Sequence, residues 1–181
     1  MTVATDAEHR AEAHADGAPT PDRILRRTLR QHAAGVTVIT VPGPAGFTAT
    51  SFTSVSLDPA LVSFYLGATA STAEAVRRAD RFAVHVLGTE NTALAQQFAR
   101  SGIDRFQGVP WTAADDGLPL LDGVPAWLTA RLTHRQQIGD HLLVVGEVDA
   151  GGAHGSDSRG SALVHHEGDF VTTRRLHLPG Q

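Results

Sequence analysis

A mainly β protein with short helices, folded as a closed or split antiparallel barrel, is the class this sequence predicts, and three observations predict it. Runs of β-branched and aromatic residues recur at short spacing, about six of them between Val36 and His166. The helical patterns between them are brief and missing from several connections, which disfavours a doubly wound sheet built from βαβ units. The length, 181 residues, is that of one ordinary domain able to bury a core without staples.

Residues 1–20 hold no large apolar side chain after Val3 and are expected to form a disordered tail ahead of one domain over 21–178. Ile24, Leu25 and Leu29 recur at helical spacing among Arg26, Arg27 and Arg30, predicting a short amphipathic helix with Thr20 or Asp22 as N-cap and Gly35 as its stop. Val36 to Val41 is β-branched throughout and is broken by Pro42, Gly43, Pro44 and Gly46. A second strand is expected from Phe47 to about Leu57 and a third from Leu61 to Leu66, the three forming a meander. Ser71 stands three residues before Glu74 in capping-box fashion, opening a helix through Arg78.

Strand texture returns over Arg81 to Leu87, and Asn91 to Arg100 is helical through Leu94, Ala95, Phe98 and Ala99. Residues 101–125 carry no regular pattern, and a connection that long in a compact domain points to a functional loop. Two long strands follow, Ala126 to Thr133 and His141 to Val148, and after a Gly/Ser/Asp loop a last one, Ala162 to His166. Charged residues are only 19% of the chain and several strands are apolar on both faces, so a homodimer is expected to complete the burial.

Composition excludes whole classes of chemistry. There is no cysteine, which removes thiol nucleophiles, redox dithiols, thiolate zinc sites and iron–sulfur clusters. All 15 cationic side chains are arginine, so neither a lysine Schiff base nor a Walker lysine is possible. A net charge of −4 offers no basic field for nucleic acid or an anionic membrane. No secretory signal and no apolar run of spanning length is present, which makes a soluble cytoplasmic protein the expectation. No G-x-S-x-G elbow, no G-x-G-x-x-G turn and no metal-ligand spacing occurs; His165 and His166 are adjacent in a strand and face opposite ways, so no metal site is expected.

Two stretches remain as candidates. Phe47 to Ser56 is a strand dense in hydroxyls on both faces, and short hydroxyls beside backbone N–H groups suit a phosphate and a sugar-alcohol chain; an edge strand of β-forming Thr with Ser facing water is the alternative. Gly139-Asp140-His141 lies between two strands, where it reads as an ordinary hairpin turn or as an imidazole at a barrel mouth with Asp140 setting its tautomer.

Taken together these motifs resemble the flavin reductase family with the FMN-binding split-barrel fold, the reductase components of two-component flavin-dependent monooxygenases. The resemblance runs from about Ile24 to Phe170. It is carried by Thr48-Ala49-Thr50-Ser51-Phe52-Thr53-Ser54-Val55-Ser56-Leu57-Asp58-Pro59, Ser71-Thr72 with the strand Phe82 to Leu87, Arg105-Phe106-Gln107-Gly108, Trp127, Gly139-Asp140-His141 and Gly146-Glu147-Val148, in that order. Two positions depart from the family pattern: it usually has Asn at His85, and Lys is common at Arg105.

The resemblance implies a Greek-key split-barrel homodimer that binds FMN or FAD and reduces it with NADH, or less often NADPH, supplying reduced flavin to a partner monooxygenase. Thr48, Ala49, Thr50, Ser51, Ser54, Val55 and Ser56 would contact the flavin ring edge, ribityl chain and phosphate, with Ser71, Thr72 and Arg105 as further phosphate candidates and Phe106, beside Arg105, a further cofactor-binding residue. Gly139 and Asp140 would serve the nicotinamide, and His141 is the catalytic candidate beside the rings, supporting the developing anionic flavin as hydride passes between cofactors. The alternatives are a flavin-holding electron-transfer protein without turnover and a pyridoxamine-phosphate-oxidase-like enzyme.

Overall fold

The computed structural model describes residues 19–153 and 161–174. The expected tail lies outside the described residues up to residue 18, as do most of the Gly/Ser/Asp loop before the last strand and residue 178, the expected end of the domain. Contacts divide the chain into two units, 1–32 and 33–181. In the first, Pro21–Leu29 is an α-helix (α1) with proline at its first position and Thr20 as N-cap. The Thr20 hydroxyl donates to the Asp22 carboxylate rather than accepting a backbone N–H. Ile24, Leu25 and Leu29 form the expected apolar stripe, each at least half exposed. The helix ends well before Gly35, which enters a strand instead of stopping it.

The second unit runs, in chain order, β1 (Ala34–Gly35), β2 (Thr37–Val41), β3 (Ala45–Ala49), β4 (Thr53–Leu57), β5 (Ala60–Gly67), α2 (Ala73–Arg78) and β6 (Arg81–Val86). A 3-10 turn, Thr89–Asn91, leads into α3 (Thr92–Ala99), then β7 (Trp111–Ala113), β8 (Pro119–Leu121), β9 (Ala126–Ile138), β10 (His141–Ala153), β11 (Leu163–His166) and β12 (Asp169–Thr172). Seven of these strands form one antiparallel sheet in the order β3-β2-β6-β9-β10-β5-β4. Its two edge strands, β3 and β4, are consecutive in the chain, joined by residues 50–52 alone. Six strand spacings laid flat span about 29 Å, whereas the four Cα steps from Ala49 to Thr53 reach about 14 Å at most, so the sheet has to roll. The seam between its edges carries no ladder, and the mainly β architecture with short helices is the class the pattern predicts.

That seam corrects the expected meander. Phe47 to Leu57 is two strands rather than one, because Ser51 leaves the β3 ladder and binds β5: its hydroxyl donates to Tyr65 O and accepts from Tyr65 N, both at 3.0 Å. Residues 101–125 also hold more order than expected, a small hairpin of β7 and β8. The strand expected over Ala126–Thr133 extends to Ile138, and the one begun at His141 extends to Ala153.

Two apolar clusters sit on opposite faces of β2, all of whose residues are buried. Ile39 and Val41 join Phe47, Phe64, Phe82 and Val144, with Phe64 edge-on to Phe82 at 5.1 Å between centroids. Val36 and Val38 join Leu87, Ala95, Phe98 and Leu121. Burial on both faces explains why β2 shows no polar alternation, and its two threonines bond backbone carbonyls, Thr37 to Ala49 O and Thr40 to Pro119 O. Helix α2 sinks Ala73 and Val76 into the first cluster, and α3 sinks Ala95 and Phe98 into the second.

Candidate functional site

The carboxyl end of β5 organises the site. Leaving the ladder at Gly67, the chain turns through Ala68 to Thr72 into α2. The expected Ser71 capping box is not formed: Thr72 is the N-cap, and no side chain caps the helix. Ser71 faces a different partner, its Oγ lying 3.2 Å from the Arg105 guanidinium.

Arg105 joins three segments. Its Nε donates to Arg100 O at the end of α3 (2.6 Å), one terminal nitrogen donates to Gly46 O on β3 (3.0 Å), and the other reaches Ser71 at the start of α2. These bonds take three of its five N–H groups, and the remainder of a half-buried cation is held at a cleft of about 340 Å³. Gly46, Ser71, Thr72, Ile103, Arg105 and Phe106 are among the residues lining it. Burial lowers the Arg105 pKa from its ordinary value, yet a guanidinium stays charged, so the cleft presents a fixed positive charge beside a hydroxyl. Ser71, Thr72, Arg105 and Phe106, four residues the sequence singled out, are therefore brought together.

Gly139, Asp140 and His141 form the turn between β9 and β10, with Gly139 at φ 60°, a left-handed conformation that a glycine adopts freely. The turn is seated on the same chain segment as Ser71: His141 pairs with Gly67 in the ladder, and Ala68 N donates to Asp140 O at 2.8 Å. Within the dyad, His141 Nδ1 lies 2.7 Å from Asp140 Oδ1. With Nδ1–H donating to that carboxylate, the proton position of the ring is set and Nε2 is left for a ligand. Gly67 to Ser71 is four Cα steps, about 14 Å at full extension, so one elongated molecule can meet both the imidazole turn and the arginine clamp.

The hydroxyl-rich stretch is dispersed. Thr48 donates its hydroxyl to Ala95 O in α3 at 2.7 Å, so its hydrogen is used inside the fold, and Ala49 is buried. Thr50 is exposed in the seam beside Ser51, whose hydroxyl is committed to Tyr65. Ser54, Val55 and Ser56 lie on edge strand β4, where Ser56 pairs with Leu61, six residues from Gly67 on β5, and runs away from the clamp. Val55 is the bulge in that ladder, 55% exposed. His85 is also removed from the cleft: it is fully buried in β6, between Val38 O and Leu121 N.

Sequence reasoning missed Gly46, Tyr65 and Gln97. Gly46 read only as a strand breaker, though a Cβ there would fall 2.8 Å from Phe98 Cε1, so its close packing demands glycine. Tyr65 binds the Ser51 hydroxyl through its own main chain, and Gln97 donates to main-chain carbonyls beyond α3, pairings that no local pattern announces. A larger groove, about 500 Å³, lies at the other end of α2 and holds none of the expected site residues. Its guanidinium groups already face carboxylates, Arg81 with Asp116 and Asp149 and Arg78 with Glu74, which leaves the Arg105 cleft the better anion site.

Residues 29–174 match the family model described as flavin reductase like domain. Over 150 residues, 80% of this chain and 78% of the relative, the sequence is 44% identical to an NADH:FMN oxidoreductase of Rhodococcus erythropolis. It is 37% identical over 131 residues, 70% of this chain and 42% of the relative, to the reductase component of a flavin-dependent trigonelline monooxygenase of Acinetobacter baylyi. Among solved structures, the NADH:FAD oxidoreductase SgcE6 of Streptomyces globisporus, in complex with NAD and FAD fragments, superposes with a TM-score of 0.77 at 33% identity. That match covers 92% of this chain and 100% of the other.

Proposed function

Because this chain belongs to the flavin reductase family, we propose that it is an NADH-dependent flavin reductase that treats FMN or FAD as a diffusible substrate and supplies reduced flavin to a separate monooxygenase. The observation that carries the reading is the seating of two unlike groups on the one segment Gly67–Thr72: the cationic clamp of Arg105 and Ser71, and the Asp140–His141 dyad.

The donor set fits a flavin nucleotide. A fixed guanidinium beside a hydroxyl is a phosphate receptor. Flavin and nicotinamide supply the redox chemistry between them when bound. Arg105 and Ser71 would hold the phosphate of a bound flavin nucleotide. His141, its tautomer set by Asp140, presents Nε2 as a hydrogen-bonding and, once protonated, cationic group at the ring end. None of these roles needs a covalent nucleophile, in keeping with a chain without Cys or Lys.

The protein acts as a homodimer in the cytoplasm on this reading. Among the described residues, edge strand β4 pairs only with β5 and shows Val55 and Leu57, 55% and 92% exposed, which is an apolar edge that a second copy would cover. The test is NADH consumption by desalted protein with and without FMN or FAD, repeated with NADPH. Oxidation that requires added flavin is the expected result; a protein that keeps flavin through desalting and consumes no NADH would instead be a flavin-holding module. Static light scattering checks the dimer.

A further inference from the structure

We propose that Gln97 is a positioning residue for phosphate recognition, its carboxamide fixing the segment that carries Arg105; the inference rests on reading Arg105 as the flavin-phosphate contact. Gln97 lies in the last turn of α3, and its Nε2 donates to two main-chain carbonyls, Arg105 O and Gln107 O, each at 2.9 Å. Both partners are acceptors, so both hydrogens of the amide nitrogen are used, and a carboxylate at this position would meet two oxygens instead of binding them.

The segment needs such a tie. It is bounded by Gly102 and Gly108, both left-handed at φ +77° and +73°, and no helix or strand lies between them. Arg105 is held by the end of α3 twice: Arg100 O takes its guanidinium Nε, and Gln97 takes its own main-chain carbonyl. Phe106 adds an apolar anchor, edge-on to Phe98 at 5.0 Å and to Trp111 at 5.6 Å. The aromatic contacts keep the segment on the core, while Gln97 sets the backbone from which the guanidinium reaches Gly46 and Ser71. Thr48 secures the helix itself by donating to Ala95 O. Strand β3, α3 and the clamp are thus one hydrogen-bonded assembly.

Riboflavin has the ring system and ribityl chain of FMN and lacks the phosphate, which makes the pair a probe of this role. Gln97→Met, near in size and without donors, is expected to raise KM for FMN about tenfold, the scale of one charge-assisted contact, while KM for riboflavin and kcat at saturation stay within about twofold. Gln97→Glu should do the same or worse, and melting temperatures of both variants report whether the fold survives. If Gln97→Glu does not fold, Gln97→Met decides. An equal rise in KM for FMN and riboflavin would assign Gln97 a general structural role and overturn the proposal, as would no change for FMN. In an Arg105→Met background, adding Gln97→Met should change KM for FMN no further; an independent effect also overturns it. A wild-type protein that does not distinguish FMN from riboflavin would sink the reading of Arg105 itself, an outcome separable from failure of Gln97 alone.

Discussion

His85 Nε2 accepts the Leu121 N–H at 3.0 Å, and this single bond fixes the protonation of the ring. A backbone N–H can only donate, so Nε2 carries no hydrogen and the proton sits on Nδ1, which donates to Val38 O at 3.1 Å. The imidazole is neutral and fully buried, and it joins β2, β6 and β8. The position where the chain departs from the family's usual Asn is thus a staple of the core.

Burial pushes the His85 pKa down to about 4, partly offset by the bond to Val38. Between the ordinary value of 6.5 and about 4, the unfolded chain binds a proton that the folded chain refuses. Stability contributed by neutral His85 is therefore full above 6.5 and is lost as pH falls toward 4, by roughly 3 kcal/mol in all. His85→Leu should remove that component of the acid sensitivity and, by stranding the Leu121 N–H, cost about 2 to 4 kcal/mol at neutral pH. Urea unfolding of both proteins across this pH range measures the two effects together; parallel curves would contradict the assignment.

Gly146 on β10 faces the ring of Phe82 so closely that a Cβ would clash with its Cε1 and Cζ. The ring cannot yield freely, since it is fully buried and packed edge-on against Phe64, and Ala130 Cβ stands 3.0 Å from the same point. Gly146→Ala should destabilise the fold by about 2 to 4 kcal/mol. A companion Phe82→Leu, which shortens the ring, should recover part of the loss. Chemical denaturation of the single and double variants tests the coupling.

Much of the fold was legible because its signals are local. β-Branched Val36 to Val41 reads as a strand whatever its partners, and Gly139-Asp140 reads as a turn from its own torsional preferences. What stayed hidden depends on distant partners. The break at Ser51 exists because Tyr65, fourteen residues on, binds its hydroxyl, and nothing within Phe47 to Leu57 encodes that. The strand β12 was missed since four residues after a Glu167-Gly168 turn carry little periodicity. In the site, Ser71 was found for its hydroxyl but assigned first to a helix cap, while its partner Arg105 lies 34 residues away. Conversely, the hydroxyls of Thr48 and Ser51 attracted notice by composition, and the fold uses both on its own backbone.

Arg105→Lys separates the charge of the clamp from its geometry. An ammonium keeps the positive charge for a phosphate, but a single nitrogen cannot span Arg100 O, Gly46 O and Ser71 Oγ as the guanidinium does. The variant should still prefer FMN to riboflavin, with a KM for FMN raised several-fold, and should lose about 1 to 2 kcal/mol of stability as α2, α3 and β3 come untied. Complete loss of the FMN preference would show that geometry, rather than charge, dominates recognition. Steady-state kinetics with both flavins and a melting curve give the two readings from one preparation.

His141→Ala addresses the other end of the site. The ring is held by Asp140 on a turn that β5 supports from Gly67 and Ala68, whereas the Arg105 cleft is lined from β3, the start of α2 and residues 102–106. Removing the imidazole should therefore leave FMN affinity within about twofold while lowering the rate of NADH oxidation at saturating FMN by about ten- to a hundredfold, the range of one electrostatic group acting on developing charge. Asp140→Asn should fall between wild type and His141→Ala, because a neutral amide still meets the ring but no longer fixes Nδ1–H. Stopped-flow reduction of bound FMN by NADH, set beside equilibrium FMN binding, resolves the two quantities. Lost binding with unchanged turnover at saturation would move His141 from the ring end to the flavin-holding set.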